Sequence, residues 1–198
     1  GVSSAASDVY KRQVTIIVTE VSDDSTNSIV DFTYDGIGLG GKFVAAASGS
    51  NVAAYSRDGE TWNTSAMPNG GVGATDWIMC SGNNAFVAIR KGTSVAGYSG
   101  SGETWTTTAM PSSSNWSSVA YGNGRFVAVS SQGNKAAYST NGTTWTASTI
   151  PDFVADSTIG DWSHIAYGKG KFVAICKNTN VFAVSTDGIT WTKPVSYT

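Results

Sequence analysis

The sequence predicts an all-β fold built from four copies of one unit. A Phe-Val pair recurs at Phe43, Phe86, Phe126 and Phe172, and a Trp recurs at Trp62, Trp105, Trp145 and Trp191. Both series advance in steps of 43, 40 and 46 residues. Gly, Ser, Thr and Asn are abundant and helix formers are scarce, which favours short strands joined by tight turns. Repeats of this length with four strands each predict a β-propeller with four four-stranded blades.

The repeats and the segment before them divide the chain. The repeats are predicted at 29–67, 71–111, 115–151 and 161–198. Residues 14–28 precede them as a β-rich run, Val14–Val21, followed by a polar linker. Three interpretations of this run stay open: a leader strand, the tail of a lost repeat, or a strand that closes a ring.

The third copy shows why each repeat should form four strands. Its predicted strands are Trp116–Tyr121, Arg125–Ser130, Lys135–Ser139 and Thr144–Thr149. The turns Gly122-Asn123-Gly124 and Asn141-Gly142 contain residues that tolerate the positive φ of tight hairpins. The second strands read FVAAA, FVAIR, FVAVS and FVAIC, which are apolar on both faces. They should therefore be buried on both sides, between neighbouring blades.

Composition and motifs exclude several classes of function. Of 198 residues, 12 are Lys or Arg and 14 are Asp or Glu, so the basic patch of a nucleic-acid binder is missing. No apolar run approaches the roughly 18 residues of a membrane span. Cys80 and Cys176 fall at different repeat positions and are predicted to be free thiols. Without a CxxC, HExxH or P-loop motif, neither a cofactor nor a metal site is expected.

The first residues resemble a processing remnant. Ser3–Gln13 reads SSAASDVYKRQ and resembles the in-frame translation of a sequencing adapter at the end of a reading frame from a metagenomic assembly. Residues 1–13 are therefore interpreted as an arm derived from an adapter or from cloning. This interpretation implies that the natural protein extends further toward its N-terminus.

A related turn precedes the fourth strand of each repeat: YSRDGETW, YSGSGETW, YSTNGTTW and VSTDGITW. Its Ser and its Asp or Asn can bond turn amides, its Gly can take the strained angle, and its Trp can pack between sheets. The motif resembles the Asp-box, or bacterial neuraminidase repeat, of sialidase-like propellers, with one residue fewer between Asp and Trp. The resemblance implies a structural role for Ser56, Asp58, Gly59, Trp62, Ser99, Gly102, Trp105, Ser139, Asn141, Gly142, Trp145, Ser185, Asp187, Gly188 and Trp191.

A longer pattern, W-S-x-(V/I)-A-Y-G-x-G-(R/K)-F-V-A, is similar to repeats in phage tail-fibre and cell-surface proteins. This resemblance implies an extracellular or virion-surface location and a cell-surface glycan or protein as the partner.

The residues needed for glycosidase chemistry do not converge in the sequence. A sialidase-like site would use three arginines, but Arg57, Arg90 and Arg125 fall at three different repeat positions. The acids Asp152, Asp156 and Asp161 fall in one polar loop, and the single histidine, His164, is interpreted as a strand residue at a blade edge. We therefore predict that the chain is not an enzyme, and a sialidase-like glycosidase fragment is the second alternative.

Ligand recognition is predicted in the variable polar loops. In a propeller the loops that join blades share a face with the loops between second and third strands, and such loops usually carry recognition. An exposed Trp beside Asn or Asp would stack on a sugar, whereas the alternative role for these tryptophans is packing between blades. The candidate ligand-binding residues are Asp76, Trp77, Arg90, Asn115, Trp116, Asn134, Asp161, Trp162, Lys177 and Asn178.

Two functions follow from these observations. The first is a non-catalytic binding module. The alternative is a structural or self-assembling protein, since four blades can close alone, pair into an eight-bladed dimer or leave open edges. In that case Val14–Val21 could be exchanged between copies to form a homo-oligomer or filament.

Overall fold

The computed structural model describes residues 29–35, 41–47, 49–68, 76–152, 160–177, 179 and 181–194. These residues form strands and turns, and none of them belongs to a helix that could cross a membrane. The arm at 1–13 and the leader at 14–28 lie outside the described residues. The predicted boundaries of the arm, the leader and the repeats stay predictions.

The strands form four antiparallel sheets, each of which is a meander in chain order. Blade 1 contains β1 (Ile29–Asp35), β2 (Lys42–Ala47), β3 (Val52–Ser56) and β4 (Asn63–Ala66). Blade 2 contains β5 (Trp77–Gly82), β6 (Ala85–Arg90), β7 (Thr93–Ser99) and β8 (Thr106–Ser114). Blade 3 contains β9 (Trp116–Gly122), β10 (Arg125–Ser130), β11 (Lys135–Ser139) and β12 (Thr146–Thr149). Blade 4 contains β13 (Trp162–Gly168), β14 (Lys171–Cys176) and β15 (Phe182–Ser185).

These sheets confirm the predicted all-β propeller with four blades. The fourth strand of blade 4 is reduced to a bridge between Val184 and Thr192, whose backbone N–H and C=O groups exchange two hydrogen bonds of 2.9 Å. The first hairpin of blade 3 turns through Asn123 and Gly124, with φ of 47° and 72°. Two consecutive positive φ values match the right-handed twist of the flanking strands, as the sequence predicts for this turn.

The core lies between the blades. One cluster joins Val44, Ala46 and Ala53 of blade 1 to Trp77 and Phe86 of blade 2. Equivalent clusters join blade 2 to blade 3 and blade 3 to blade 4. In the part of the chain that the structure describes, each of these clusters lies between two neighbouring blades.

The innermost strands pack in chain order, β1 on β5, β5 on β9 and β9 on β13. Within the described residues, β13 does not pack back on β1 in this way, so the four blades form an open arc. The predicted burial of the second strand on both faces holds for β6 and β10 but is wrong for β14. Exposed and buried residues alternate along β14 because, among the described residues, only blade 3 packs against blade 4.

Candidate functional site

One backbone hydrogen bond recurs at the same end of three blades. The N–H of Lys91 donates to the carbonyl of Asp76, that of Ser131 to Asn115, and that of Lys177 to Asp161, over 2.8–2.9 Å. In each case the residue before the first strand is joined to the residue after the second strand. These six residues define the loop face of the molecule.

A cavity of about 470 Å³ opens at the loop face. Its lining comes from blades 2, 3 and 4: Lys91, Asn115, Trp116, Ser117, Ser131, Asp161, Ser163, His164 and Lys177. A second cavity of about 320 Å³ shares Lys91, Ser117 and His164 with the first and reaches Asp31 and Met79 between the inner strands. The lining is dominated by amine, hydroxyl, amide, imidazole and carboxylate groups, which suit a polar ligand.

The three tryptophans that begin the first strands have a packing role. Trp77, Trp116 and Trp162 are each 1% exposed. Each indole Nε1–H donates to the preceding blade, at the Ser50 carbonyl (3.2 Å), the Ser112 carbonyl (3.3 Å) and the Asn134 Oδ1 (3.1 Å). The predicted stacking on a sugar is therefore corrected, because the rings are enclosed between blades and offer no face to a ligand.

The remaining candidates divide into lining residues and supports. Asn115, Asp161 and Lys177 are brought together on the cavity wall. Asn134 instead holds Trp162, and its carbonyl accepts the Ile150 N–H at 2.9 Å.

Two further candidates support the loop face rather than line the larger cavity. Arg90 is a buried residue of β6 whose carbonyl accepts the Thr93 hydroxyl at 3.1 Å, and Asp76 contributes its carbonyl to the recurring backbone bond. Asn178 lies outside the described residues.

Sequence reasoning missed Ser117, Ser131, Ser163 and His164 as lining residues, and it placed Lys91 in a recognition loop without naming it as a candidate. His164 lies in β13, an edge strand of blade 4, as interpreted from the sequence, and its exposed side chain also lines both cavities. The available signal was position: Ser117 and Ser163 directly follow the first-strand Trp, and His164 comes one residue later.

The turns before the fourth strands are held by internal hydrogen bonds. In each of these Ser-x-x-Gly turns, the Ser Oγ accepts the Gly N–H at 2.7–2.8 Å. The Asp58 Oδ1 accepts the Ser56 hydroxyl and the Glu60 and Thr61 N–H groups, and these bonds hold the pKa of Asp58 well below its usual range. This carboxylate is thus occupied by the turn itself. Among the described residues no group of three or more His, Cys, Asp or Glu side chains could hold a metal ion.

Asp187 is bound in the same way in blade 4. Burial alone would raise the pKa of Asp187, but the Thr190 and Ile189 N–H groups and the Ser185 hydroxyl outweigh burial and lower it to about 2. Asn141 takes the equivalent place in blade 3, where its Oδ1 accepts the Thr143 and Thr144 N–H groups. The turn requires an acceptor oxygen at this position, and a charge is optional.

Comparison with known proteins agrees with the fold. The family model described as the DUF6242 beta propeller domain matches residues 57–198. No curated protein sequence matches the chain. Virginiamycin B lyase from Staphylococcus aureus is 18% identical with a TM-score of 0.68, and the match covers 91% of this chain and 59% of the lyase.

Two further solved structures have the same architecture. YCF48 from Cyanidioschyzon merolae is 17% identical with a TM-score of 0.62, over 90% of this chain and 59% of that protein. The computationally designed Ika4 protein is 13% identical with a TM-score of 0.55, over 81% of this chain and 92% of the design. The chain spans between half and three fifths of the length of the lyases that it matches. At these identities the likeness establishes the fold alone.

The prediction that the chain is not an enzyme is wrong as it was argued. Solved structures with this fold include a streptogramin B lyase and a virginiamycin B lyase, so a propeller of this kind accommodates catalysis. The residues that glycosidases and hydrolases need do not cover the chemistry of a lyase, so their absence does not bear on it. The scattered arginines therefore argue against a sialidase-like site and against nothing wider.

Proposed function

The chain belongs to the DUF6242 β-propeller domain family, and we propose that it is a binding module whose loop face recognises a protein partner. The observation that carries the proposal is the polar cavity at that face, lined by residues of three successive blades. A ligand seated there would contact the whole arc rather than one repeat.

The scaffold around the cavity is held by backbone hydrogen bonds and by buried side chains. The recurring backbone bonds at Asp76, Asn115 and Asp161 fix the first-strand starts relative to the second-strand ends. The buried indoles of Trp116 and Trp162 fix each blade against the one before it. Polar groups held in place by a rigid framework lose little conformational entropy when a ligand binds.

The chemistry of the lining favours a polypeptide over a sugar. The aromatic side chain that lines the cavity, Trp116, is buried, so the described lining offers no exposed ring for sugar stacking. Lys91 and Lys177 can each donate to a carboxylate, while Asp161 can accept from an amide or ammonium group. A peptide with an acidic side chain fits this combination. The solved structure of YCF48 bound to D1 peptide supports the same mode of use for this fold.

The finer identification rests on sequence resemblance. The Ser-x-x-Gly turns are proposed to be Asp-box turns, and the repeats to belong to an extracellular or virion-surface protein. The metagenomic origin of residues 1–13 is a proposal of the same kind. A cell-surface glycan is the competing ligand, and self-assembly through the Val14–Val21 strand is the competing function.

Peptide and glycan binding can be separated by one experiment. The full chain is screened against a phage-displayed random peptide library and a glycan array, and hits are titrated calorimetrically. We expect acidic peptides, with affinity reduced at least about tenfold by Lys91→Glu and by Lys177→Glu, because each replaces a cationic contact with a charge that repels the acidic side chain. Thr146→Glu, on the exposed part of β12, is the matched control and should leave affinity unchanged. Glycan binding that is lost in the cavity variants, or peptide binding that they do not affect, would overturn the proposal.

A further inference from the structure

The same joint between blades is built three times in this chain. Each blade presents three apolar residues of its second and third strands to the following blade, and we call this its leading face. The leading faces are Val44, Ala46 and Ala53 in blade 1, Val87, Ile89 and Ala96 in blade 2, and Val127, Val129 and Ala136 in blade 3. All nine residues are at most 2% exposed. Their equivalents in blade 4 are Val173, Ile175 and Phe182, which are 38%, 37% and 40% exposed.

The other side of each joint is the trailing face, which a blade presents to the one before it. A Cβ added to Gly82 would lie 2.1 Å from the ring of Tyr121, and one added to Gly122 would lie 2.0 Å from the ring of Tyr167. Each tyrosine therefore packs directly on a glycine of the preceding blade. Blade 1 has Tyr34 at this position, and it is 48% exposed.

Blade 4 has the glycine that such a tyrosine needs. Nothing lies within 4 Å of the place where a Cβ of Gly168 would stand. The leading face of blade 4 and the trailing face of blade 1 thus hold the two halves of one contact.

The glycines of the Ser-x-x-Gly turns also pack against the preceding blade. A Cβ on Gly102, Gly142 or Gly188 would lie 2.4–2.9 Å from a Cγ2 of Val44, Val87 or Val127 in the preceding blade. In blade 1 the nearest atom to a Cβ on Gly59 belongs to Phe43 of the same blade, at 3.5 Å. Val173 is the valine left exposed in blade 4 and would be the partner of Gly59.

At two of the internal joints, a cation at the start of the second strand contacts the following blade. Between blades 1 and 2, the Lys42 Nζ donates to the Ser101 carbonyl at 2.9 Å and pairs with Glu103, and this bond holds the pKa of Glu103 below its usual value. Between blades 3 and 4, the Arg125 Nη1 donates to the Asp187 carbonyl at 3.0 Å.

Alignment of the repeats places an equivalent pair of charges on the leading face of blade 4 and the trailing face of blade 1, which we call the two free faces. Lys171 occupies the cation position in blade 4, and Glu60 occupies the Glu103 position in blade 1. Both residues are exposed.

We propose that the leading face of blade 4 binds the trailing face of blade 1 of a second copy, twice over, to give a closed eight-bladed ring of two chains. A ring made of copies of this four-bladed chain contains a multiple of four blades, and within the described residues of one copy β13 does not pack on β1 as the other inner strands pack on each other. Eight is the next multiple and the upper end of the usual range of about four to eight blades. A joint of this head-to-tail kind closes a ring when the rotations sum to a full turn and builds a filament when they do not.

The joint between copies differs in two respects from those within the chain. Phe182 stands where the internal joints have alanine, so the apolar contact would be larger. In the joint between blades 3 and 4, the Asn123 Nδ2 donates to the Thr186 carbonyl at 3.0 Å. In the joint between copies, Lys169 stands at the position of Asn123 and Arg57 at the position of Thr186. The arrangement is independent of the ligand proposed for the loop face, because neither free face includes the residues tested there.

The mass of the full chain in solution tests this proposal directly. Light scattering coupled to size exclusion should give a dimer of 41 kDa from chains of 20.5 kDa. Val173→Glu and Tyr34→Glu should each give a monomer with an unchanged β-sheet circular dichroism spectrum, because both residues are already exposed. Thr146→Glu adds the same charge to blade 3 and should remain dimeric.

Charge exchange between two chains identifies the joint. Lys171→Glu and Glu60→Lys should each raise the dimer dissociation constant by roughly tenfold, since every homodimer then holds two like-charge pairs. Mixing the two single variants should restore the dimer, because the mixed dimer contains one exchanged pair and one native pair. A wild-type monomer, a polymer that grows with concentration, or a dimer insensitive to these four substitutions would each overturn the proposal.

Discussion

Blades 3 and 4 contain nearly the same middle strand in two different surroundings. β10 reads RFVAVS and β14 reads KFVAIC. Val127 and Val129 are fully buried in β10, whereas Val173 and Ile175 are more than one third exposed in β14. Blade 4 covers Val127 and Val129 of blade 3. Among the described residues no following blade covers Val173 and Ile175 of blade 4. An apolar pattern therefore predicts that a strand can be buried on both faces, and the neighbours decide whether it is.

The largest difference between an internal joint and a free face is expected at the turn tryptophans. Trp145 is buried between blades 2 and 3, while Trp62 of blade 1 is half-buried and donates its Nε1–H to the Gly59 carbonyl at 3.1 Å. Trp145→Ala should lower the free energy of unfolding by about 3–5 kcal/mol because it leaves a large cavity. Trp62→Ala should cost less than about 2 kcal/mol, since its ring is already partly hydrated.

Urea melts of both variants measure this difference. They are best made in a Val173→Glu background, which keeps the free faces uncovered. Equal losses in the two variants would mean that the internal joint gains nothing from enclosing its tryptophan.

A smaller effect is expected at the paired valines of β10 and β14. Val127→Ala removes two fully buried methyl groups and should cost about 1.5–3 kcal/mol. Val173→Ala removes the same groups from an exposed face and should cost under about 1 kcal/mol in the monomer. Chemical denaturation of both variants at several protein concentrations checks the pair. If Val173→Ala becomes as costly as Val127→Ala when concentration rises, a second chain covers blade 4.

The smallest effect concerns the turns of the same two blades in acid. The pKa of Asp187 is lowered from 3.8 to about 2 in the folded chain, so its contribution to stability is complete above pH 4 and is lost as the pH falls toward 2. Asn141 in blade 3 does not titrate. Asp187→Asn should therefore reduce the acid sensitivity of the protein, by about 1 kcal/mol between pH 4 and pH 2 after allowing for solvent screening.

Urea melts at pH 2, 4 and 6 measure that difference, with Asn141→Ala as the comparison at the non-titrating turn. Identical pH profiles for the wild type and Asp187→Asn would show that the carboxylate does not stabilise the turn through its charge. Asp58 and Glu103, whose pKa values are also lowered, remain in both proteins and contribute to the residual acid sensitivity.

Local features of this fold are readable from the sequence. The predicted strands Arg125–Ser130 and Lys135–Ser139 coincide with β10 and β11, because tight turns and apolar spacing fix strand ends within a few residues. The role of the Ser-x-x-Gly turns follows equally from residues within one turn. These features need no knowledge of distant parts of the chain.

The cavity depends on residues that are distant in sequence, and it was only partly predicted. Lys91, Ser131 and Lys177 come together because three blades pack side by side, and no single repeat contains this information. The enclosure of Trp162 and the exposure of His164 have the same origin, since one faces the preceding blade and the other faces the cavity. Predicting them requires the rotation between blades, which the period of the repeat does not specify.

A core that lies between blades makes this molecule a short one-dimensional lattice. Among the described residues, blades 2 and 3 each have two neighbouring blades, whereas blades 1 and 4 each have one. In such a lattice opening starts at the ends and moves inward, so backbone amides of the end blades exchange with solvent first. Joining the ends to another chain would remove both starting points at once, and every blade would then be an interior site.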